Sequence, residues 1–406
     1  MALVRLLPVL LALLLAAPAA VADTFRVDYT VRFQPDQGNA RVAMALANGE
    51  GRASRFDLAM PADRYDGVEG DGEVVRDGDR VVWSPPRAGG ELRWQYRIDK
   101  RRRSGGHDAR ITDDWTIVRG DHLFPSARVR MSAGSRSATT VRFVLPEGWT
   151  NVETPWRAGE RPRSFVVDND EVRFARPTGW IIAGDVGTRR EQHDDIEIVV
   201  AAPKGDSMPR QQILAMVGWT LPEMRAIFGE LPPKILVVGA GDAMWRGGLS
   251  GPRSLYMHSG RPLISENGTS TLLHEFVHLI SRISGAPGHK YLSEGIAEFY
   301  SIELLHRTGG TTEARYQRTR AMLERWSADV RRLVGVRAGG RVNARATLLM
   351  MDLDAEIRQA SDGERSLDDV TRLLMAKRRV DTADLREAAE RVLGRPSRTL
   401  DSPLLR

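Results

Sequence analysis

Hydrophobic and polar residues alternate along the first half of the chain, in short stretches separated by glycine, aspartate and proline. This period of two is typical of strands that bury one face. The stretches are FRVDYTVRF (25–33), RVAMAL (41–46), RVVWSP (80–85), ELRWQYRI (91–98), TTVRFVLP (139–146) and IEIVVAAP (196–203). They predict an N-terminal domain with an antiparallel, β-sandwich-like fold over residues 23–203.

The pattern changes near Pro203 and becomes helical. Apolar residues recur at spacings of three and four between 208 and 229, and Pro222 predicts a kink or break in that helix. Strands are predicted at 235–238 and at Ser254–His258, and the chain after 268 is mainly helical. We therefore expect an α+β protein with a second, mainly helical domain over 204–406.

The first residues have the pattern of a secretory signal peptide. One arginine precedes the apolar run in MALVRLLPVLLALLLAAPAAVAD, and small residues at 20–22 end it, so cleavage is expected after Ala22. A membrane anchor is the alternative, but the run is short for a span. No later segment is apolar enough to cross a bilayer. We expect 1–22 to be removed and the protein to be secreted or periplasmic, without a stable membrane span.

Composition narrows the class of protein. Of 406 residues, 42% are hydrophobic and 28% charged, as in folded proteins with sizeable cores. The net charge is +6, but the basic segment 100–103 is followed by Ser-Gly-Gly, which is typical of a hairpin loop. It lacks the interleaved aromatic residues of a nucleic-acid groove, so no nucleic-acid partner is expected. The absence of cysteine excludes disulfides and thiolate metal ligands.

Residues 274–278 read His-Glu-Phe-Val-His, a pattern whose side chains can bind a metal ion and accept a proton. Residues four apart lie on one face of a helix, so His274 and His278 can direct their imidazoles at one metal ion. Glu275 can then accept a proton from a water that the metal binds. Capping residues at 267–271 and apolar residues at helical spacing up to 283 predict a helix whose ligands face away from the core.

A firmly held zinc ion needs a further protein ligand. Glycine and proline at 285–288 end the first helix, and a second helix is predicted from 291. Glu294 follows His278 by 16 positions, so a helix hairpin can fold its carboxylate back onto the histidines. Glu298, one turn further, either accepts the free N–H of a ligand histidine or is an exposed helical carboxylate. The sequence therefore predicts one Zn²⁺ per chain.

HEFVH followed by YLSEGIAEFY (291–300) resembles the gluzincin zinc peptidases. The metzincin extension needs Gly at 281 and His at 284, and both positions are serine. Gly247-Gly248-Leu249 and the segment 348–375 resemble the glycyl aminopeptidase family in particular. This resemblance covers about 205–375; it implies a thermolysin-like fold for the second domain, peptidase action on a peptide or protein substrate, and a substrate site that includes those three residues.

The chain departs from that family at several points. Ser250 and Gly251 follow the Gly-Gly-Leu segment, where the family has Glu and His. A loose alignment places Asn343 where the family has its transition-state tyrosine, before a helix expected over 345–358. We also expect no PDZ module. Candidate donors to the developing oxyanion are Arg341, Asn343, Arg345 and His306.

Two functions from different classes follow. The first is an exported zinc peptidase with Glu275 as general base, for which aminopeptidase action is one option. The second is a zinc-containing, weakly active or inactive module that binds peptides or proteins, which the missing glutamate and tyrosine favour. The strand at Ser254–His258 is expected to lie at a sheet edge, either one that pairs with an extended peptide or an ordinary edge strand. Specificity, endo- or exo-cleavage and oligomeric state stay open.

Overall fold

The structure is a computed structural model that describes residues 24–49 and 52–406. The predicted signal peptide, residues 1–22, lies outside the described residues. Among the helices that are described, none combines the length and the apolar character that a membrane crossing requires.

The strands of the described residues are numbered in chain order. They are β1 (Thr24–Gln34), β2 (Asn39–Ala47), β3 (Ala53–Ala59), β4 (Tyr65–Gly70), β5 (Glu73–Asp77), β6 (Arg80–Ser84), β7 (Gly89–Arg97), β8 (Lys100–Arg101), β9 (His107–Ile111), β10 (Trp115–Arg119), β11 (Ala127–Met131), β12 (Arg136–Val144), β13 (Asn151–Glu153), β14 (Arg157–Ala158), β15 (Ser164–Val167), β16 (Trp180–Gly184), β17 (Val186–His193), β18 (Ile196–Pro203), β19 (Lys234–Val238), β20 (Gly248–Gly251), β21 (Ser254–Met257), β22 (Ser284–Gly285) and β23 (Arg379–Val380).

The helices lie mainly after residue 203, as the change of period predicts. They are α1 (Gly120–Leu123), α2 (Arg210–Phe228), α3 (Thr271–Ser281), α4 (Tyr291–Arg307), α5 (Glu313–Trp326), α6 (Gly340–Ala360), α7 (Leu367–Lys377) and α8 (Thr382–Leu393). Pro222 lies inside α2 without ending it. Helix α6 begins before the expected residue 345, so Asn343 lies in its first turn.

The N-terminal strands surround one aromatic core. β1 lies inside a seven-stranded sheet ordered β14-β15-β12-β1-β2-β7-β4, and a four-stranded sheet is ordered β11-β3-β6-β5. β1 runs antiparallel to β2 and parallel to β12. The predicted antiparallel arrangement is therefore wrong at that pair, because alternation records which residues face the core and not the direction of a neighbouring strand. Rings in this core include Phe25, Tyr29, Phe56, Trp83, Trp94 and Phe124.

A mixed sheet carries the helical part of the chain. Its order is β17-β18-β19-β21-β20, with parallel pairs between β18 and β19 and between β19 and β21. The strands at 186–203 are therefore hydrogen-bonded to strands that follow residue 203. The predicted division between 203 and 204 stays a prediction, but it falls between two strands of one sheet.

Both faces of this mixed sheet are buried. On one face, Ile198, Val200 and Ile235 join the apolar core of α2, α3, α4 and α6. On the other face, Val199, Leu236, Val238 and Tyr256 pack against Ile117, Trp180 and Ile182 of a further sheet, ordered β13-β16-β10-β9-β8. This second layer joins the sheet to the N-terminal strands, because burying apolar area on both sides resists separation.

A carboxylate clamp also joins the two parts of the chain. Glu171, in the loop after β15, accepts two hydrogen bonds from Arg282 at 2.7 Å each, and two more from Arg378. Arg282 and Arg378 are the residues that end α3 and α7, where a positive charge is favourable. Hydrogen bonds from Arg378 and Arg282 hold the pKa of Glu171 well below its ordinary value.

Replacing Glu171 by glutamine should lower the free energy of unfolding near neutral pH by about 1 kcal/mol, the upper range for exposed ion pairs. The folded-state pKa lies below the unfolded value of about 4.5, so this stabilisation is present above that pH and is lost as the pH falls toward the folded-state pKa. Denaturant titrations of both proteins at several pH values measure the free energy of unfolding. The difference between the two proteins should become smaller in acid.

Glu147→Gln is the matched control, because Glu147 is exposed and no ion pair is seen for it among the described residues. Its free energy of unfolding should stay near that of the unsubstituted protein at every pH. A gap for Glu171→Gln that persists unchanged far below the ordinary glutamate pKa would show that the clamp does not act through charge.

Candidate metal centre

Helix α3 presents the two histidines of the HEFVH motif. Ser270 caps its N-terminus by accepting the Leu273 N–H at 3.3 Å, as the predicted capping segment implies. Its apolar face is fully buried in the helical core, so the helix cannot rotate. His274 and His278 occupy the less buried side and retain some exposure.

Helix α4 lies close to both α3 and α6. Gly295 is required on the α6 side, since a Cβ atom there would lie 2.9 Å from Ala346 Cβ and 3.0 Å from its carbonyl carbon. The residue before it, Glu294, points toward the histidines. The absence of a side chain at 295 therefore lets the backbones of α4 and α6 approach each other.

His274, His278 and Glu294 converge on one point. The two Nε2 atoms are 3.1 Å apart, and Glu294 oxygens lie 3.7 Å from His274 Nε2 and 3.9 Å from His278 Nε2. Tetrahedral zinc with bonds of about 2.0–2.1 Å separates its ligand atoms by roughly 3.4 Å. The donor set therefore fits a zinc ion, and within the described ranges no other group of three such side chains comes together.

Glu298 contacts the outer nitrogen of His274. Its Oε2 lies 2.8 Å from His274 Nδ1, so the carboxylate accepts the Nδ1 proton and leaves Nε2 directed at the metal position. Of the two alternatives for Glu298, the geometry corresponds to the contact with the histidine and not to a solvated carboxylate.

Without a metal, the cluster shares protons unevenly. Burial lowers the pKa of His274, but hydrogen bonds to Glu294 and Glu298 outweigh it and raise that pKa to about 10. Burial and then the charge of His274 lower the pKa of His278 to about 4. Burial raises the pKa of Glu294, but contacts with both histidines bring it down to about 2. A cation that binds between these three side chains would displace the proton that His274 holds.

Glu275 is buried beside strand β20. Its Oε2 accepts the Ser250 N–H at 2.7 Å, and burial raises the pKa of the carboxyl group above its ordinary value. Gly248 makes room for it, because a Cβ atom there would lie 2.8 Å from Glu275 Cγ and 2.7 Å from Thr271 Cγ2. The glutamate is thus held between the helix and the strand.

Gly248 and Leu249 are the first residues of the edge strand β20, and Gly247 directly precedes it. The predicted strand at Ser254–His258 is β21, which ends at Met257 and lies between β19 and β20. The proposal that it forms an edge is therefore wrong: β20, too short and too rich in glycine to be recognised from its pattern, forms that edge.

The four candidate oxyanion donors fall in different places. Asn343 alone reaches the cluster, where its Nδ2 donates to Glu294 Oε2 at 3.1 Å. Arg341 pairs with Asp329 at the surface, and Arg345 lines a groove beside α5. His306 lies further along α4 and contacts Glu313.

Lys290 was missed by the sequence reasoning. Its Nζ lies 3.5 Å from Glu294 Oε1, one turn before that residue on the same helix. A lysine four positions before a ligand carboxylate is a signal that could have been noticed, because such pairs contact each other on helices.

Comparisons with known proteins bear on the fold. No protein-family model matches the chain and no curated protein matches it. An aminopeptidase N family protein from Idiomarina loihiensis superimposes with a TM-score of 0.65 at 14% identity, over 86% of this chain and 70% of that one. An M1 zinc metallopeptidase from Deinococcus radiodurans gives 0.57 at 16% identity, over 94% and 92% of the two chains. A point mutant of that metallopeptidase gives 0.60 at 15% identity, over the same shares.

The chain has the fold of the M1 zinc metallopeptidases. The predicted gluzincin-type, aminopeptidase-like architecture is thereby confirmed as a fold, and the mixed α/β composition agrees. The narrower likeness to glycyl aminopeptidases stays a prediction. The neighbours from Deinococcus radiodurans are described as zinc metallopeptidases, and in this chain His274, His278 and Glu294 form a group that could hold a metal ion.

Zinc should stabilise the folded chain through this cluster. At a free concentration of about a thousand times its dissociation constant, a ligand that binds only the folded state adds about 4 kcal/mol. Thermal unfolding of metal-stripped protein with increasing Zn²⁺ should therefore show a rising midpoint. His278→Ala should remove that rise, because it deletes one of three protein ligands.

His193→Ala supplies the control, since His193 lies outside the cluster and contacts Glu191. That variant should keep the full response to zinc. An equal rise in the His278→Ala protein would mean that zinc binds elsewhere on the chain.

Proposed function

We propose that this chain is an exported, zinc-dependent peptidase that hydrolyses peptide bonds with Glu275 as general base. His274, His278 and Glu294 would hold one zinc ion per chain. The convergence of those three side chains beside a buried carboxylate carries the proposal. The fold shared with M1 zinc metallopeptidases supports it.

The open side of β20 is suited to an extended peptide. In an antiparallel pair, successive residues turn their N–H and C=O groups alternately toward the partner and away from it. The Gly247 carbonyl accepts from His258, whereas the Ser250 N–H bonds to Glu275, so Gly248 and Ser250 face the open edge. A substrate that adds a strand there would lie along the cleft beside Glu275.

Glu275 would move the proton in this reaction. When bound, the zinc ion would act as a Lewis acid that lowers the pKa of water and polarises the scissile carbonyl. The Glu275 carboxylate can take a proton from water on one oxygen while Ser250 holds the other, and can pass it to the leaving amine. Burial raises the pKa of Glu275, which suits a base that must also return the proton. Glu298 keeps the His274 proton on Nδ1 throughout.

Export and the site of action belong to the same proposal. The apolar run before Ala22 favours a secreted or periplasmic enzyme. Aminopeptidase action would need an anion for the free amino terminus, and Ser250 in place of the family's glutamate removes that anion from β20.

A zinc-containing module that binds peptides with little or no catalysis is the second candidate. The contacts of Asn343, which a loose alignment places at the family's tyrosine position, favour it, since its amide bonds to Glu294 and to Gly339. One N–H of that amide is therefore used by Glu294 and not by a substrate. Chelator-sensitive cleavage of any peptide would decide for the enzyme.

Glu275→Gln should abolish hydrolysis and keep the metal. Glutamine has the same shape and still accepts from Ser250, but it cannot take a proton, so the rate should fall by a factor of about 10² or more. Digestion of a peptide library, read by mass spectrometry with and without chelator, measures cleavage, and elemental analysis measures zinc.

Glu266→Gln removes an equal charge from an exposed residue just before α3 and should cleave normally. Cleavage by Glu275→Gln at the rate of the unsubstituted protein would exclude Glu275 as the base. A metal-loaded protein without chelator-sensitive products on the whole library would favour the binding module.

A further inference from the structure

The close packing of α4 and α6 brings Asn343 within hydrogen-bonding distance of Glu294. Gly295 packs against Ala346, and Asn343 lies one turn before Ala346 on α6. Glu294 lies directly before Gly295. The same helix contact that excludes a Cβ atom at 295 therefore brings the amide of Asn343 onto the Glu294 carboxylate.

The orientation of the Asn343 amide is determined by its two contacts. Its Oδ1 accepts the Gly339 N–H at 2.7 Å, so the oxygen is directed at the start of α6. The NH₂ group must then face Glu294, where Nδ2 donates to Oε2 at 3.1 Å. A reversed amide would set oxygen against carboxylate and N–H against N–H.

The other oxygen of Glu294 has a weaker partner. Lys290 Nζ lies 3.5 Å from Oε1, and the lysine side chain is 69% exposed, so its position is poorly restrained. Asn343 is partly buried and bound at both ends of its amide. Of these two partners, Asn343 is therefore the one that can fix the rotation of the Glu294 carboxylate.

We infer that Asn343 is a positioning residue that holds the Glu294 carboxylate ready for the metal. This inference rests on the proposed metal site. Outer partners of metal ligands reduce the cost of ordering a ligand on binding, and their loss typically weakens metal affinity by about 10- to 100-fold. Asn343 therefore acts through the carboxylate of Glu294.

Zinc affinity of Asn343 variants tests this role. The metal-stripped protein is titrated with Zn²⁺ against a chromophoric chelator, and the unfolding midpoint of each metal-free variant is recorded. Asn343→Ala should weaken zinc binding about tenfold, within the usual range for lost outer contacts. Asn343→Gln keeps an amide donor on a longer stem and should recover most of the affinity. Gln359→Ala, which removes an exposed amide from the far end of α6, should leave it unchanged.

The visible spectrum of the Co²⁺-loaded protein gives a second readout. A carboxylate that changes its rotation alters the coordination geometry, so the absorption of Asn343→Ala should differ from that of the unsubstituted protein and of Gln359→Ala. A residue that merely stabilises the start of α6 would lower the metal-free unfolding midpoint and leave both zinc affinity and the cobalt spectrum alone.

The outcomes separate the two proposals. Unchanged zinc affinity and cobalt spectra in Asn343→Ala, with one zinc bound by the unsubstituted protein, overturn the role of Asn343 and leave the peptidase proposal standing. Failure of the unsubstituted protein to bind zinc overturns both. Should Asn343→Ala not fold, Asn343→Ser replaces it, because a serine hydroxyl can still accept the Gly339 N–H but is too short to donate to Glu294. Zinc affinity and a cobalt spectrum equal to those of the unsubstituted protein would then contradict the inference.

Discussion

The near-contact of α4 with α6 at Gly295 and Ala346 is the constraint on which the rest of the site depends. Glu294 precedes the glycine, and its carboxylate contacts both Asn343 of α6 and the histidines of α3. Glu298 lies one turn later on the same helix and contacts His274. Interiors packed at this density do not adjust freely, which makes a missing Cβ atom a means of setting ligand geometry.

The mixed sheet holds that helical unit in place from the other side. Its central strands are buried on both faces, and its edge strand β20 contacts α3 through Glu275 and Ser250. Trp180 of the neighbouring sheet donates to the Leu249 carbonyl at 2.9 Å, so β20 is anchored from behind.

The fold is shared with M1 metallopeptidases although identity is only 14–16%. The apolar core between packed layers tolerates many substitutions of one hydrophobic residue by another. A metal site tolerates few substitutions, since its three donor atoms must lie within about 4 Å of one another. Two of the positions at which the chain is predicted to depart from the glycyl aminopeptidase family, Ser250 and Asn343, contact carboxylates of the candidate site. Ser250 does so through its backbone N–H, whereas Asn343 uses its side-chain amide.

The sequence by itself determined the features that depend on neighbours along the chain. Residues four apart share a helix face, so the spacing of His274 and His278 already implied a common metal position, and a helix hairpin of known length brought Glu294 within reach. Strand alternation identified the buried residues. Tertiary structure alone decided that β1 runs parallel to β12, that β20 and not β21 forms the edge, and that Asn343 contacts Glu294. These pairings join distant residues, and no local period records direction, order in a sheet or helix separation.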